Sequence, residues 1–320
     1  MNQEHARQRL GMICVAGAAM LFASKGLFSK ALYQRGVGFE LLVTVRALLA
    51  MPLFVWVGLR ARAPAVSGDD EAQPLAVRAP PARRPRAGAV WAAVIAGIVC
   101  YYVGAMLDFW ALMLIDASIE RVLLFSYPAL VVLLGSVMQR RAPEARVVVA
   151  MFITYLGIFF AMGGVDFSEL TQNLFGAGLV LIAAFTTAIY FLIGERYTRE
   201  LGSTRFAAIG MSASAVVLTV HFALFRSFDE LRTLAAYDWM LLVVLAIFCM
   251  FVPGLLQAEG VRRVGAQRAA IGSTVGPPTT IVLAAIFFGE RLNVWQLLGT
   301  AMIVGSVLVM SLGARPANRN

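Results

Sequence analysis

The sequence predicts an all-α membrane protein whose ten transmembrane helices form two inverted five-helix repeats. Of the 320 residues, 60% are hydrophobic and only 14% are charged, whereas soluble domains are roughly 45–50% apolar and about 25% charged. Apolar runs of about 20 residues, the length needed to cross the hydrocarbon core, recur along the whole chain. Prolines interrupt one run in each half, at Pro128 and at Pro277 beside Pro278.

The apolar runs define ten predicted spans, separated by polar breaks. They cover residues 10–30, 39–59, 89–113, 117–139, 145–164, 174–195, 204–225, 238–258, 266–288 and 293–313. We expect residues 1–164 to form the first repeat and residues 165–320 to form the second. Because each repeat has an odd number of spans, the second must enter the membrane from the opposite side, which makes the repeats inverted.

The basic residues indicate how the chain is oriented in the membrane. Most of the 27 lysines and arginines fall in the two terminal tails and in breaks on the same side as the tails. The positive-inside rule therefore predicts that both termini are cytoplasmic. The longest break, from about residue 60 to residue 87, is rich in Pro, Ala and Arg, which predicts a disordered cytoplasmic loop. Its arginines either bind anionic membrane lipid or belong to a solvated linker.

The two halves of the chain are weakly similar to each other. A shift of 149 residues aligns Asp116–Pro128 with Gly265–Pro277, and a shift of 165 aligns residues 18–30 with 183–195. A proline removes a backbone donor and kinks or breaks a helix. In a bilayer, broken backbone is tolerated only against protein or a water-filled cavity. Interrupted spans at equivalent positions of two repeats therefore indicate the binding site of a transporter.

The span count, the duplication and the closing motif GERLNVWQLLGTAMIVGSVLV at residues 289–309 resemble the drug/metabolite transporter superfamily, EamA type. The resemblance covers nearly the whole chain. It implies a carrier in the bacterial cytoplasmic membrane, often an exporter, of amino acids or other polar or amphipathic metabolites. It also implies a central cavity lined by spans one, three, four, six, eight and nine. The first span, LFASKGLFSKALYQRGV, departs from the Trp-Gly pattern that is commoner in the family, and the resemblance leaves the substrate open.

Ionisable residues within the predicted spans are the strongest candidates for a functional site. A charge at the bilayer centre costs at least ~2.5–3.5 kcal/mol, so it needs a partner or water. The helical rise per residue places five charges from the first four spans in the outer third of the membrane. These five residues are Lys25, Arg46, Asp108, Glu120 and Arg121. We expect Asp108 to pair with Lys25 or with Arg46.

This group of charges has two interpretations. Three cations against two carboxylates favour a ligand with an anionic group, unless Asp116 nearby cancels the excess. The group is then a gate or a binding site below the external mouth. In the alternative interpretation, the charges only fasten the first four spans to one another.

Aromatic and polar residues extend the candidate site along the helices. Tyr101, Gly104 and Asp108 recur at helical spacing on the third span. On the fourth span, Glu120 and Tyr127 are seven residues apart and share a face. Equivalent positions in the second half are uncharged, which predicts an inner constriction lined by aromatic and amide side chains instead of charges. The complete set of candidate binding or gating residues is Lys25, Arg46, Tyr101, Asp108, Glu120, Tyr127, Pro128, Tyr190, Gln257, Ser273, Thr274 and Pro277.

Other functional classes have little support in the sequence. No Walker-type phosphate loop, dinucleotide fingerprint or nucleophile elbow occurs. Neither His5 nor His221 has neighbours at metal-ligand spacing. The sequence therefore predicts a carrier without cofactor or metal, neither an enzyme nor an ATP-driven pump, and its cations form no stripe for nucleic acid. The rivals are a membrane receptor or structural protein, and an intramembrane enzyme built on the outer charges.

The expected partners are a small-molecule substrate and membrane lipid. Asp108 and Glu120 are the carboxylates available to couple transport to protons. Facilitated diffusion or exchange would need neither residue. The oligomeric state does not follow from the sequence.

Overall fold

The computed structural model describes residues 2–61, 87–138, 167–276 and 293–312, together with short pieces inside 145–160 and 279–287. Across these residues the regular secondary structure is helical and contains no strand, which confirms the all-α fold class. Within them, six helical segments are long and apolar enough to cross a membrane. They are Gln8–Gln34, Phe39–Arg60, Ala87–Leu114, Leu174–Leu201, Ser203–Phe225 and Ala236–Val264.

Each of the six segments matches a predicted span to within a few residues, except that three continue further at one end. The fourth predicted span is divided between two shorter helices, and the tenth is a helix over Val294–Leu312. Most of the fifth span, the later part of the ninth span and the loop at 62–86 lie outside the described residues. The segments establish a multi-pass membrane protein.

The helices are labelled here in chain order. The first repeat contains α1 (Asn2–Ala23), α2 (Lys25–Gln34), α3 (Phe39–Arg60), α4 (Ala87–Gly97), α5 (Ala105–Leu114), α6 (Ala117–Leu124) and α7 (Tyr127–Met138). The second repeat contains α8 (Phe167–Leu201), α9 (Ser203–Phe225), α10 (Ala236–Ala246), α11 (Val252–Val264), α12 (Ala266–Gly272) and α13 (Val294–Leu312). Two π-helical segments join α4 to α5 and α10 to α11, and a 3-10 segment follows α12; their ranges are Ile98–Gly104, Ile247–Phe251 and Ser273–Val275.

Equivalent helices of the two repeats pack against one another in reciprocal pairs. The second spans, α3 and α9, form an extensive contact. The first span of each repeat packs on the third span of the other, because α1 lies along α11 and α8 lies along α4 and α5. The fourth spans meet where α7 contacts α12. Such reciprocity is the packing expected of repeats related by a pseudo-two-fold axis in the membrane plane.

Both proline-containing spans change their backbone structure at the predicted place. The helix α6 ends at Leu124 and α7 begins at Tyr127, so the break lies immediately before Pro128. In the second repeat, α12 gives way to the 3-10 segment at Ser273. That change lies just ahead of Pro277, which is itself outside the described residues.

The first span contains a further break, at Ser24 between α1 and α2, which the sequence does not predict. The Ser24 hydroxyl donates to the carbonyl oxygen of Leu21 at 2.8 Å, and the Ser24 N–H donates to the same oxygen at 3.3 Å. A serine that bonds its own backbone in this way competes with regular helix. The equivalent span of the second repeat, α8, has no such break. The two repeats therefore differ in their first spans.

The π-helical segments occupy equivalent positions in the two repeats. They begin at Ile98 and at Ile247, which are separated by the same 149 residues that align the proline-containing spans. A π-helical turn changes the angular register of the side chains that follow it, and such turns are frequent at functional sites. The backbone at Tyr101 and Gly104 is therefore π-helical instead of α-helical, yet both residues and Asp108 border one cavity, in agreement with the shared face predicted for them.

Glycines allow the third span to approach its neighbours closely. A Cβ atom on Gly97 would lie 2.1 Å from the carbonyl oxygen of Gly210 in α9, and one on Gly104 would lie 2.2 Å from the Thr186 hydroxyl in α8. Only a residue without a side chain permits helices to cross at such distances. These crossings hold the first π-helical segment against the second repeat and position one wall of the central cavity.

Candidate functional site

A cavity of about 130 Å³ lies where the two repeats meet. The first, third and fourth spans of the first repeat line it, together with α8, α11, the second π-helical segment and the 3-10 segment from the second repeat. These are the spans implied by the family resemblance, and the second span adds Arg46. Cavities of about 150 Å³ hold a benzene-sized ligand. The volume therefore suits a small molecule.

Two buried carboxylates share Lys25 beside the cavity. The Lys25 ammonium forms an ion pair with Asp108 and donates to Oε1 of Glu120 at 3.1 Å. The three residues belong to α2, α5 and α6, and Glu120 is completely buried. One oxygen of each carboxylate has no hydrogen-bond partner among the described residues. Of the two pairings expected for Asp108, the structure therefore contains the one with Lys25.

Arg121 binds the carbonyl end of the broken first span. Its Nη2 donates to the carbonyl oxygen of Phe22 at 2.6 Å. The next carbonyl oxygen, that of Ala23, accepts a hydrogen bond from the Thr280 hydroxyl at 3.3 Å. The last carbonyls of a helix have no intrahelical partner and carry partial negative charge. The break at Ser24 therefore creates an acceptor for one nitrogen of Arg121, whose buried Nε has no hydrogen-bond partner among the described residues.

Arg46 lines the cavity and has no carboxylate partner among the described residues. Its guanidinium carbon lies 4.0 Å from the ring centroid of Phe109. The Lys25 ammonium lies 4.9 Å from the same centroid, so one aromatic ring contacts two cations. Arg46 is only 5% exposed, and its Nε has no hydrogen-bond partner. A buried cation with an unsatisfied donor therefore faces the cavity.

Asp116 does not belong to this group of charges. Its Oδ1 accepts a hydrogen bond from the Lys30 ammonium at 2.9 Å, and its side chain is 56% exposed. The hypothesis that Asp116 cancels the cationic excess is wrong, because Lys30 already holds its charge away from the cavity. The side chains at the cavity thus remain three cations against two carboxylates.

The other predicted site residues fall into two groups. Tyr101, Tyr127, Gln257 and Ser273 line the cavity. Tyr190 is buried behind the cavity wall, where its ring centroid lies 5.0 Å from that of Tyr101. Tyr190 therefore supports a liner instead of contacting the cavity itself.

Two of the remaining candidates are buried beside the cavity without lining it. Glu120 lies behind Lys25, and Pro128 is buried near the start of α7. The side chain of Thr274 and the whole of Pro277 lie outside the described residues. The predicted set thus contains cavity liners, supporting residues and positions at the helix breaks.

Sequence reasoning missed three residues that shape the site: Ser24, Phe109 and Cys249. The Ser24 hydroxyl lies 3.3 Å from the Cys249 sulfur, a contact that joins the broken first span to the second π-helical segment. None of the three is charged, so depth and charge gave no reason to single them out. The sequence contains one signal for Cys249, since the 149-residue shift aligns it with Cys100. Both cysteines line the cavity.

Comparison with known families agrees with this architecture. The model for the EamA-like transporter family matches residues 9–163 and again residues 174–312. The chain belongs to the EamA-like transporter family. The resemblance noted from the sequence is confirmed, and this EamA-like transporter is a membrane transport protein, not an enzyme. Among the part of the chain that the structure describes, no cluster of potential metal ligands is present.

Relatives of this EamA-like transporter occur in distant microorganisms. It is 30% identical over 292 residues to the uncharacterized transporter YcbK of Bacillus subtilis (strain 168), covering 90% of this chain and 88% of the relative. It is 24% identical over 194 residues to an uncharacterized transporter of Archaeoglobus fulgidus, covering 61% of this chain and 67% of the relative. A solved structure described only as "Crystal structure of protein" has a TM-score of 0.66 at 16% identity over 97% of this chain and 99% of its own, which shows a shared fold alone.

Proposed function

We propose that this transporter is a secondary carrier that moves a small metabolite, an amino acid or a related polar or amphipathic compound, across the cytoplasmic membrane. The observation that carries the proposal is the cavity between the two repeats, whose wall both repeats supply. When one repeat rocks against the other, a site in this position opens to each side of the membrane in turn. The family resemblance adds a direction, export, and the positive-inside rule adds an orientation with both termini in the cytoplasm.

The proposal includes coupling to protons at the Lys25, Asp108 and Glu120 side chains. A single ammonium group compensates two carboxylates, and the completely buried Glu120 carboxylate keeps one oxygen without a partner. Burial in a medium of low dielectric disfavours the charged form of a carboxylate. Glu120 is therefore the group that we assign to carry a proton, while Asp108 remains paired with Lys25.

Counterflow in proteoliposomes tests the carrier function. Vesicles containing the purified protein are loaded with unlabelled amino acids and their 2-oxo acid, carboxylic acid and amine analogues, one at a time, and uptake of the labelled compound is followed. We expect saturable uptake of at least one compound that depends on the internal load, and none in protein-free vesicles. Wild-type protein that shows no such flux for any member of the panel would contradict the proposal.

An imposed pH difference tests the coupling separately. Proton coupling predicts that net uptake of the identified substrate changes when the pH difference across the vesicle membrane is reversed, while counterflow at equal pH persists. If net uptake follows the substrate gradient alone, whichever side is acidic, transport is not coupled to protons. The carrier function itself would still stand.

A further inference from the structure

The charge around the cavity is unbalanced, because Arg46 and Arg121 both line it without a carboxylate partner among the described residues. Arg121 donates to a backbone carbonyl oxygen, whereas Arg46 has only the ring of Phe109. Arg46 is 5% exposed, lines the cavity and has an Nε without a hydrogen-bond partner. A buried charge that lacks a counter-charge is unfavourable in a protein and more so at membrane depth. An arginine in this environment therefore calls for an anion that the described part of the chain does not supply.

The nearest carboxylates are already engaged elsewhere. Asp108 and Glu120 both bind the Lys25 ammonium, and Asp116 binds Lys30 away from the cavity. Asp108 and Glu120 each keep one oxygen without a partner, but none of the three carboxylates forms an ion pair with Arg46 in this arrangement. The remaining cation of the group, Arg121, is bound to a backbone carbonyl.

Phe109 holds the Arg46 guanidinium in position without neutralising it. The guanidinium carbon lies 4.0 Å from the ring centroid, a cation–π contact that partly compensates for lost hydration. A guanidinium presents its donors as a planar fork that matches a carboxylate through two parallel hydrogen bonds. The ring contact therefore leaves Arg46 suited to bind a carboxylate group inside the cavity.

We propose that the substrate is a small monocarboxylate anion and that Arg46 binds its carboxylate. This inference rests on the carrier function proposed above and names its substrate class. With both carboxylates ionised, three cations against two carboxylates leave one positive charge, which a single negative charge balances. Phe22, Tyr101 and Phe191 are among the aromatic residues of a mainly apolar wall, which fits a hydrocarbon body of several carbons.

The same geometry disfavours a zwitterionic amino acid relative to its deaminated analogue. The ammonium group of an amino acid adds a further positive charge to a site that already has a cationic excess, and it would have to share Asp108 and Glu120 with Lys25. Among the amino acids and related compounds of the proposed function, the carboxylic and 2-oxo acids are therefore the preferred substrates.

A series of compounds with one carbon skeleton and different charges tests this inference on the wild-type protein. The compounds are 4-methylpentanoate, leucine, 4-methylpentanamide and 4-methylpentylamine, and the readout is the dissociation constant measured by calorimetry on purified protein. Because charge-assisted bidentate hydrogen bonds are about twice as strong as neutral ones, we expect the acid to bind at least about 10-fold more tightly than its amide. Leucine falls between them. Equal affinity for the acid and the amide overturns the inference.

Substitution of Arg46 assigns the effect to this residue. Arg46→Gln should weaken binding of 4-methylpentanoate by about 10- to 100-fold and leave binding of the amide unchanged. Arg46→Lys should recover part of the loss, because lysine keeps the charge without the planar fork. Arg60→Gln is the matched control, since Arg60 lies on the same helix, exposed and stacked on Trp56 with its guanidinium carbon 4.5 Å from the ring centroid.

The outcomes separate this inference from the carrier function. If 4-methylpentanoate binds through Arg46 but no compound is carried, the inference holds and the carrier function fails. If leucine is carried and neither Arg46 variant changes the affinity for the acid, the carrier function holds and the inference is overturned. Should Arg46→Gln fail to fold, the acid and amide affinities of the wild-type protein and the Arg46→Lys variant decide the question.

Discussion

A single ammonium group, that of Lys25, holds two carboxylates from different helices at the edge of the cavity. Removing either carboxylate changes the charge of a buried site. Substitutions of Asp108 and Glu120 by their amides therefore separate a role in transport from a role in holding helices together. Breaking a buried ion pair in a soluble protein costs about 3–5 kcal/mol when one partner is removed. Here the second carboxylate still binds Lys25, so the helices remain fastened after a single substitution.

Asp108→Asn is expected to abolish counterflow or to uncouple it while leaving membrane insertion intact. Glu120 alone then pairs with Lys25, so three cations face one carboxylate, and Arg46 and Arg121 are both uncompensated. The measurement is counterflow per molecule of protein recovered in proteoliposomes. Asp116→Asn is the control, because it removes the same charge from the exposed pair with Lys30. Wild-type flux in Asp108→Asn would show that the buried pair is not part of the transport mechanism.

Glu120→Gln is expected to remove the response to a pH difference while retaining exchange at equal pH. The amide mimics a permanently protonated carboxylate, so the proposed proton site can no longer load and release. Counterflow at equal pH and net uptake under opposite pH differences measure the two properties. If the variant instead keeps its pH response and only loses thermal stability, Glu120 is a fastener between α2 and α6, the alternative left open by the sequence.

At the scale of the helices, breaks at the centre of the bundle separate the two halves of a span. Between α6 and α7 the Phe125 N–H donates to the carbonyl oxygen of Arg121, and the Ser126 N–H donates to that of Leu123. Pro128 follows directly and has no N–H to extend α6 into α7. The kink therefore allows the two half-spans to move separately, which gives the proline a role in turnover.

Pro128→Ala is expected to lower the turnover rate by about 10-fold while changing substrate affinity by less than about twofold, because the restored hydrogen bond stiffens the span. Initial exchange rates and equilibrium binding measure the two effects. Pro52→Ala is the matched control, since Pro52 is also inside a helix but faces outward from α3. Pro277→Ala should resemble Pro128→Ala if the second repeat gates in the same way. Unchanged turnover in both variants would contradict a gating role for the breaks.

Gly97→Ala tests the close crossing of α4 and α9. The added methyl group meets the Gly210 backbone, which has no flexible side chain to move aside. Overpacking of this kind costs typically 1–3 kcal/mol, so we expect a lower melting temperature of the purified protein. Gly178→Ala, at a helical position where a Cβ atom has nothing within 4 Å, should be neutral. A melting temperature in Gly97→Ala equal to that of the control would show that the crossing relaxes freely.

For the whole molecule, two ion pairs connect the repeats at one end of the bundle. Arg35 at the end of α2 pairs with Asp238 in α10, and Glu40 in α3 pairs with Arg226 at the end of α9. Each pair joins the first repeat to the second, with the signs exchanged between them. They lie at the end that the positive-inside rule assigns to the outside. In the alternating-access mechanism proposed above, both pairs would have to separate when that side opens.

The double variant Arg35→Gln with Arg226→Gln is expected to shift the protein toward opening on that side. The readout is labelling of Cys249, a cavity residue, by a membrane-impermeant maleimide in a background carrying Cys14→Ser and Cys100→Ser. We expect labelling to become several-fold faster from that side and unchanged from the other, because removing both ion pairs biases the equilibrium between the two access states.

Two controls accompany the double variant. Arg232→Gln removes an exposed arginine whose partner, Asp229, lies in the same loop, and it should not alter labelling. The second control is the variant Arg35→Asp with Asp238→Arg, which exchanges the two charges and keeps Arg226. Both ion pairs can then form, so labelling should be as slow as in the wild-type protein. Identical labelling rates in the double variant and the wild-type protein would show that these pairs do not hold the bundle closed.

Some features of this structure could be predicted from the sequence and others could not. Span positions follow closely, because the preference of each segment for hydrocarbon is a local sum over its residues. The break before Pro128 follows from the missing N–H of one residue. The break at Ser24 does not follow, since Arg121 and Thr280 from other helices bind the carbonyl oxygens of Phe22 and Ala23 beside it. The two π-helical segments do not follow either, because the residues that form them are apolar like the rest of their spans. The choice of Lys25 over Arg46 as the partner of Asp108 likewise depends on how the helices rotate against one another.

The sequence by itself determined that this chain is a membrane protein of two repeats with breaks at equivalent places, and which charges lie at membrane depth. Hydrophobic length, helical rise and the chemistry of proline depend on the chain alone. Only the tertiary structure decided which charges neutralise one another and which one is left over. That outcome depends on distances of a few ångströms between side chains from different helices, and no local property of the sequence encodes them.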